Sequence, residues 1–115
     1  MDEISVRVAG KKHSVELADS LIRQFWGLSF RSEGKMLFDF GAKTNAFIDM
    51  MLLSDPLYLY FLDPERKVIE KMEAEPWGFD PRSWKLYRSD EKYRYLLESF
   101  EELELDQGDT VDFEL

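Results

Sequence analysis

Hydrophobic and polar residues alternate in short stretches along most of this chain, and turn chemistry separates the stretches. Ile4, Val6 and Val8 alternate with Ser5 and Arg7, the period-two signature of a strand with one buried face. Ala9-Gly10-Lys11-Lys12 supplies a turn and His13 to Leu17 resumes the alternation, which predicts an opening hairpin. Asp19 or Ser20 can cap a short helix over 19–27, with Leu21, Ile22, Phe25 and Trp26 on its apolar face and Gly27 at its end. Met36, Phe38 and Phe40 alternate with Leu37 and Asp39, again a strand. After the loop 41–45, Phe47 to Leu53 is apolar except for Asp49. Leu57 to Leu62 has no polar face at all, which predicts a central strand buried on both sides. The turn 63–67 and the return over Val68 to Met72 complete a second hairpin.

Two stretches read less simply. Pro76-Trp77-Gly78-Phe79-Asp80-Pro81 is irregular, and its aromatic content and the nearby Trp84 predict that it is ordered. Residues 90–104 fit a helix through Tyr93, Leu96, Leu97, Phe100 and Leu103, and equally a strand through Tyr93, Tyr95 and Leu97. Val111, Phe113 and Leu115 alternate as a terminal strand after the turn 106–109. Many short strands with one short helix near residues 19–27 predict a mainly β protein, a jelly-roll-like β-sandwich or closed β-barrel. A length of 115 residues argues for a single domain over 1–115.

Charge changes this picture in one place. The net charge is −9, and residues 98–115 hold eight acids and no base. The rest of the chain is nearly balanced, so the acidity belongs to the C-terminal segment, whose acids are expected to face water while its leucines, Val111 and Phe113 are buried. Such a surface repels phosphate backbones and anionic bilayers, so neither nucleic acid nor membrane is expected as a partner. No apolar run reaches the roughly 20 residues of a membrane span, and the acidic start Met1-Asp2-Glu3 is unlike a signal peptide. A cytoplasmic protein is expected; cysteine is absent while Glu, Lys and Arg are abundant, a composition that also fits heat adaptation. Without cysteine, and with His13 the only histidine, disulfides, thiolate catalysis and a structural zinc site have no ligands to draw on. No cofactor or metal is expected.

The order of motifs resembles the family catalogued as domain of unknown function 192, small β-rich proteins of bacteria and archaea. The residues that carry the resemblance are Val15-Glu16-Leu17-Ala18-Asp19, Arg23, Gly27-Leu28-Ser29-Phe30-Arg31 and Gly34 to Phe40, followed by Pro56-Leu57, Phe61-Leu62-Asp63 and Val68. Tyr95-Leu96-Leu97-Glu98 stands where the family reads YVLE, and Gly108-Asp109-Thr110-Val111 where it reads GD-x-V. The resemblance implies a β-sandwich or barrel with little helix, and a strand over Tyr93 to Glu98. The chain departs from it at Ile48 to Leu53, where the family reads roughly FWMKNT: only Met50 is kept, and Tyr58 replaces an aspartate.

Candidate chemistry is sparse. Asp49, in the most apolar neighbourhood, would become an acid or base if it pointed inward; alternation with Phe47 and Met51 also allows the wetter face. Asp55 before Pro56 reads as a second carboxylate or as a turn aspartate. Arg23 and Arg31 either grip an anionic group or pair with acids at a sheet edge. Trp77, Phe79 and Trp84 either wall a ligand pocket or fold down over the core. These readings lead to a non-catalytic binding or interaction module of unknown ligand or protein partner, monomeric or dimeric. The alternatives are a small-molecule or carbohydrate-directed enzyme using Asp49 and Asp55, and an assembly or regulatory subunit, which an exposed apolar patch would mark.

Overall fold

A computed structural model of the chain describes residues 3–18, 33–50, 53 and 55–114. Alternation becomes strand wherever it was regular. Strands β1 (Glu3–Val8) and β2 (Lys11–Ala18) form the opening hairpin, paired from Glu3 opposite Glu16 to Val8 opposite Lys11. Ala9 and Gly10 make its turn at φ of 49° and 80°, the left-handed pair that a two-residue hairpin requires. Strand β3 (Lys35–Thr44) pairs parallel to β2. Strands β4 (Leu57–Leu62) and β5 (Val68–Ala74) form the second hairpin. Strand β6 (Tyr93–Ser99) inserts between β3 and β4, and the short β7 (Asp112–Phe113) pairs with β1.

The spatial order is β5-β4-β6-β3-β2-β1-β7, one curled sheet of seven strands. The chain around 108–111 then reaches across to the other end. Val68 N–H donates to the Asp109 carbonyl at 2.8 Å, Gly108 N–H to that of Val68 at 2.8 Å, and Val111 N–H to that of Arg66 at 2.9 Å. This strap draws the two ends of the half-barrel together. The mainly β expectation holds, as one curled half-barrel sheet rather than a closed barrel; the short helix expected near 19–27 lies outside the described residues.

The curl gives the sheet two buried faces. Val6, Val8, Leu37, Tyr60, Leu97 and Phe113 pack inside it, with Leu103 and Leu105. Met36, Phe38, Leu59, Phe61 and Leu96 pack on its outer side, beneath Met50, Ile48, Trp77 and Tyr87. The central strands β4 and β6 are therefore buried on both faces, as an apolar run without a polar side demands. Tyr60 carries its hydroxyl inside by accepting from Leu103 N–H at 2.8 Å and donating to the Leu103 carbonyl.

Three expectations need correction. Phe47 to Leu53 does not form a regular strand among the described residues; it contributes a single bridge, Ile48 to Tyr87. Of the expected terminal strand, only Asp112–Phe113 pairs, although Val111 and Phe113 are buried as anticipated; Leu115 lies outside the described residues. Most C-terminal acids do face water, but Glu98 is 6% exposed. Alternation along β6 places it with Leu96 on the outer face, directly between Met36 of β3 and Leu59 of β4.

The turn between β4 and β5 holds an unusual residue. Arg66 sits at φ of 68°, where a three-residue hairpin loop usually carries glycine. Its guanidinium lies 4.1 Å from the Phe113 ring centroid and donates to the Phe113 carbonyl. The side chain thus fastens the last strand to the second hairpin.

Candidate functional site

Two loops roof the outer face of the sheet. Residues 45–50 and 75–90 are joined by reciprocal bonds, Ile48 N–H to the Tyr87 carbonyl at 2.7 Å and Tyr87 N–H to the Ile48 carbonyl at 2.8 Å. Trp77 N–H adds a longer bond to the Met50 carbonyl, and the Tyr93 hydroxyl donates to the Ala46 carbonyl at 2.6 Å from the strand below. Burial and the Glu98 charge push the Tyr93 phenol up to about 12, so it remains a donor at every ordinary pH.

The second loop is held by its own polar groups. Asp80 caps a single 3-10 turn, Pro81–Ser83, accepting from Arg82 N–H at 2.9 Å. The Arg82 guanidinium beside it holds the Asp80 carboxyl below its ordinary value. Ser83 Oγ accepts from Gly78 N–H at 2.8 Å and donates to the Asp80 carbonyl at 2.7 Å. The Trp77 indole N–H donates to the Lys85 carbonyl and the Trp84 indole N–H to the Gly78 carbonyl, at 2.7 and 2.8 Å. The two indoles stack at 5.7 Å with an interplanar angle of 22°. Both indole donors are satisfied inside the loop, so what the indoles show to solvent is ring surface.

That surface is unusually apolar. Phe79 is fully exposed, and Phe47, Trp84 and Leu86 are each more than half exposed. The Ile48–Tyr87 bridge turns Ile48 and Tyr87 toward the core, so alternation sends Phe47, Asp49, Leu86 and Arg88 outward together. The Arg88 guanidinium lies 4.3 Å from the Phe47 ring centroid. Buried tryptophans usually close a core; here a bonded loop holds large apolar side chains in water.

Beneath this roof lies Glu98. No hydrogen-bond donor among the described residues meets its carboxyl, and burial, then the charge of Asp49, push it up to about 8. At neutral pH it is a neutral carboxylic acid within an apolar sheet face.

Sequence-derived candidates fall into three sets. Asp49, Trp77, Phe79 and Trp84 are brought to one face by the joined loops, and Asp49 takes its exposed side. Asp55 lies at the bend before β4, with no interaction linking it to Asp49 or Glu98. Arg23 and Arg31 lie outside the described residues. Clefts of about 390 Å³ by Arg7, Lys12 and Asp112 and of about 340 Å³ by Tyr58, Lys71 and Glu73 include none of these candidates. Among the described residues no group of acids and histidine is gathered for a metal, and no helix is long and apolar enough to cross a membrane. Glu98, Phe47 and Leu86 were not anticipated. The strand reading through Tyr93, Tyr95 and Leu97 already put Glu98 on the opposite face, which was the available signal.

A curled seven-strand sheet roofed by two loops over a buried carboxyl defines a small β-barrel-like domain. The chain matches the model of the DUF192 family, Uncharacterized ACR, over residues 4–113, and belongs to that family. It is 28% identical to a UPF0127 protein of Thermococcus gammatolerans over 109 residues, spanning 88% of this chain and 67% of the relative. Two crystal structures share the fold. One is a proposed transcription regulator from Sinorhizobium meliloti 1021, with a TM-score of 0.75 and 22% identity over 96% of this chain and 92% of that one. The other is a protein of unknown function from Novosphingobium aromaticivorans, with a TM-score of 0.73 and 22% identity over 96% and 83%.

Proposed function

We propose that this chain is a non-catalytic interaction module that docks a partner on the face formed by residues 45–49 and 76–88. One observation carries the reading: a loop made rigid by its own hydrogen bonds holds Phe79, Trp84 and Leu86 in solvent beside Phe47. Exposed large apolar groups lower solubility unless a partner covers them, and a preorganised loop loses little entropy on binding. The partner is a protein rather than a nucleic acid or a bilayer, because a chain of net charge −9 repels both. A chain without cysteine loses nothing in a reducing compartment, and we place it in the cytoplasm.

Selection of random displayed peptides on the immobilised protein tests this. Enriched peptides should shift the amide resonances of 47–49 and 78–88, and Phe79→Ala with Leu86→Ala should abolish the enrichment at an unchanged melting temperature. Peptides that bind another surface, or that the variant retains, overturn the reading. A second reading, a carboxylate-dependent enzyme, now rests on Glu98 with Asp49 rather than Asp55, since a carboxyl protonated near neutrality suits a general acid. It requires a turnover that Glu98→Gln abolishes while the docking face still binds peptide.

A further inference from the structure

We infer that the cleft of about 340 Å³ between the β4–β5 hairpin and Glu102 is a binding site for an organic cation, a charged amine carried on an aliphatic chain. It lies on the inner side of the sheet, away from the loop face, and does not depend on the docking reading. Strand register builds its wall. Tyr58 of β4 stands opposite Glu73 of β5, and Tyr60 opposite Lys71, so the two cross-strand pairs point to one side. The Tyr60 hydroxyl is tied to the Leu103 backbone, which holds Glu102 beside them. A hydrogen bond to Glu73, then the Glu73 charge, keep the Tyr58 phenol above its ordinary value, and the charge of Glu102 adds to both. Tyr58 therefore stays protonated and donates to the Glu73 carboxylate.

The charges of the cleft leave one sign over. Its only base is engaged elsewhere: Lys71 Nζ donates to the Leu105 carbonyl at 3.0 Å and to Asp106 at 2.8 Å. The acids near Glu102 in the chain have partners too, Glu101 with Lys35 at 2.8 Å and Glu104 with Lys11 at 4.0 Å. Among the described residues no cation pairs with Glu73 or Glu102. With Lys71 and Asp106 cancelling, the cleft keeps the two negative charges of Glu73 and Glu102. The chain as a whole has a net charge of −9, so the local sum and the long-range field agree on a cation. The walls decide which kind. A hard metal ion asks for about six or more oxygens, and no group of three acids or histidine is gathered among the described residues. Tyr58 is half-buried and lines the cleft with ring surface, which attracts an ammonium through its π face and its carbon chain by contact.

The test titrates cadaverine into the isotope-labelled full chain at constant ionic strength. Nα-acetyl-lysine methylamide is run in parallel, with potassium and calcium chloride as controls. The amides of Tyr58, Glu73 and Glu102 should shift along saturating curves with both amines and stay in place with the inorganic salts. Glu73→Gln with Glu102→Gln should weaken binding about tenfold, the two exposed ion pairs together, at a melting temperature no lower than the wild type's. Tyr58→Leu should weaken it about threefold through the lost ring, and Tyr58→Phe, which keeps the ring, should bind as the wild type does. Tighter binding of cadaverine makes the ligand a small molecule, and tighter binding of the blocked lysine makes it a side chain of another protein; either upholds the site. Shifts that potassium or calcium reproduces, shifts confined to other residues, or a double variant that binds as well as the wild type overturn it.

Discussion

Glu98 couples the outer face to pH. Its carboxyl titrates near 8 in the folded chain against an ordinary 4.5, so between those values the folded state holds a proton that the unfolded state has released. Stability due to this group therefore falls as pH rises from about 4.5 to 8, by up to about 1.4 kcal/mol per unit, and is level above that window. Glu98→Gln keeps the shape and removes the titration. The variant should gain on the wild type steadily from pH 5 to 8, as paired denaturant melts at several pH values would show; parallel curves would mean the carboxyl is solvated. Arg66 sets two effects of similar size against each other. A left-handed backbone costs a non-glycine residue about 1–2 kcal/mol. Stacking on Phe113 returns about 0.5–2 kcal/mol, and a hydrogen bond from a charged donor about 1.5–3 kcal/mol. Arg66→Gly should therefore lower stability by about 1 kcal/mol in spite of the easier turn, measured by urea unfolding.

At the scale of elements, strand β4 tests the packing most directly. Leu59 is fully buried between β5 and β6 on the outer face. Leu59→Ala should cost about 2–5 kcal/mol through the cavity it leaves, and a midpoint shift worth less than about 0.5 kcal/mol would place the strand at the surface. The strand itself was legible in the sequence because an unbroken run from Leu57 to Leu62 has nowhere soluble to go. The opening hairpin was legible from alternation, which imposes a face; over β6 the pattern fitted helix and strand equally, and the family resemblance decided for the strand. What escaped was whatever depended on distant chain. Glu98 stands one residue before the end of its strand and reads locally as a water-facing acid; among the described residues, the roof from 45–50 and 75–90 is what covers its side of the sheet. Phe47 stood within an apolar run and nothing local marked Leu86; their exposure follows from one bridge, Ile48 to Tyr87, that no local pattern announces. The parallel pairing of β2 with β3 is likewise a matter of how the chain crosses in space.

For the whole molecule, the acidic segment is structure rather than tail. Leu103, Leu105, Val111 and Phe113 are all buried, and Lys35 and Lys71 each hold one of its acids at 2.8 Å. Deleting residues 108–115 removes the strap and two buried anchors, each contributing roughly 1.5–3 kcal/mol. Against a total of about 5–15 kcal/mol, the truncated chain should lose its dispersed amide spectrum and its cooperative melt; an unchanged melt would show the strap to be dispensable. The strap also dictates when folding can occur. The first strand takes its outer neighbour from far along the chain, Val6 opposite Phe113. Until residues 108–113 have been made, the hairpins can form but the half-barrel cannot be strapped, and β4 keeps an apolar face open. That interval is when a chaperone would find the growing chain.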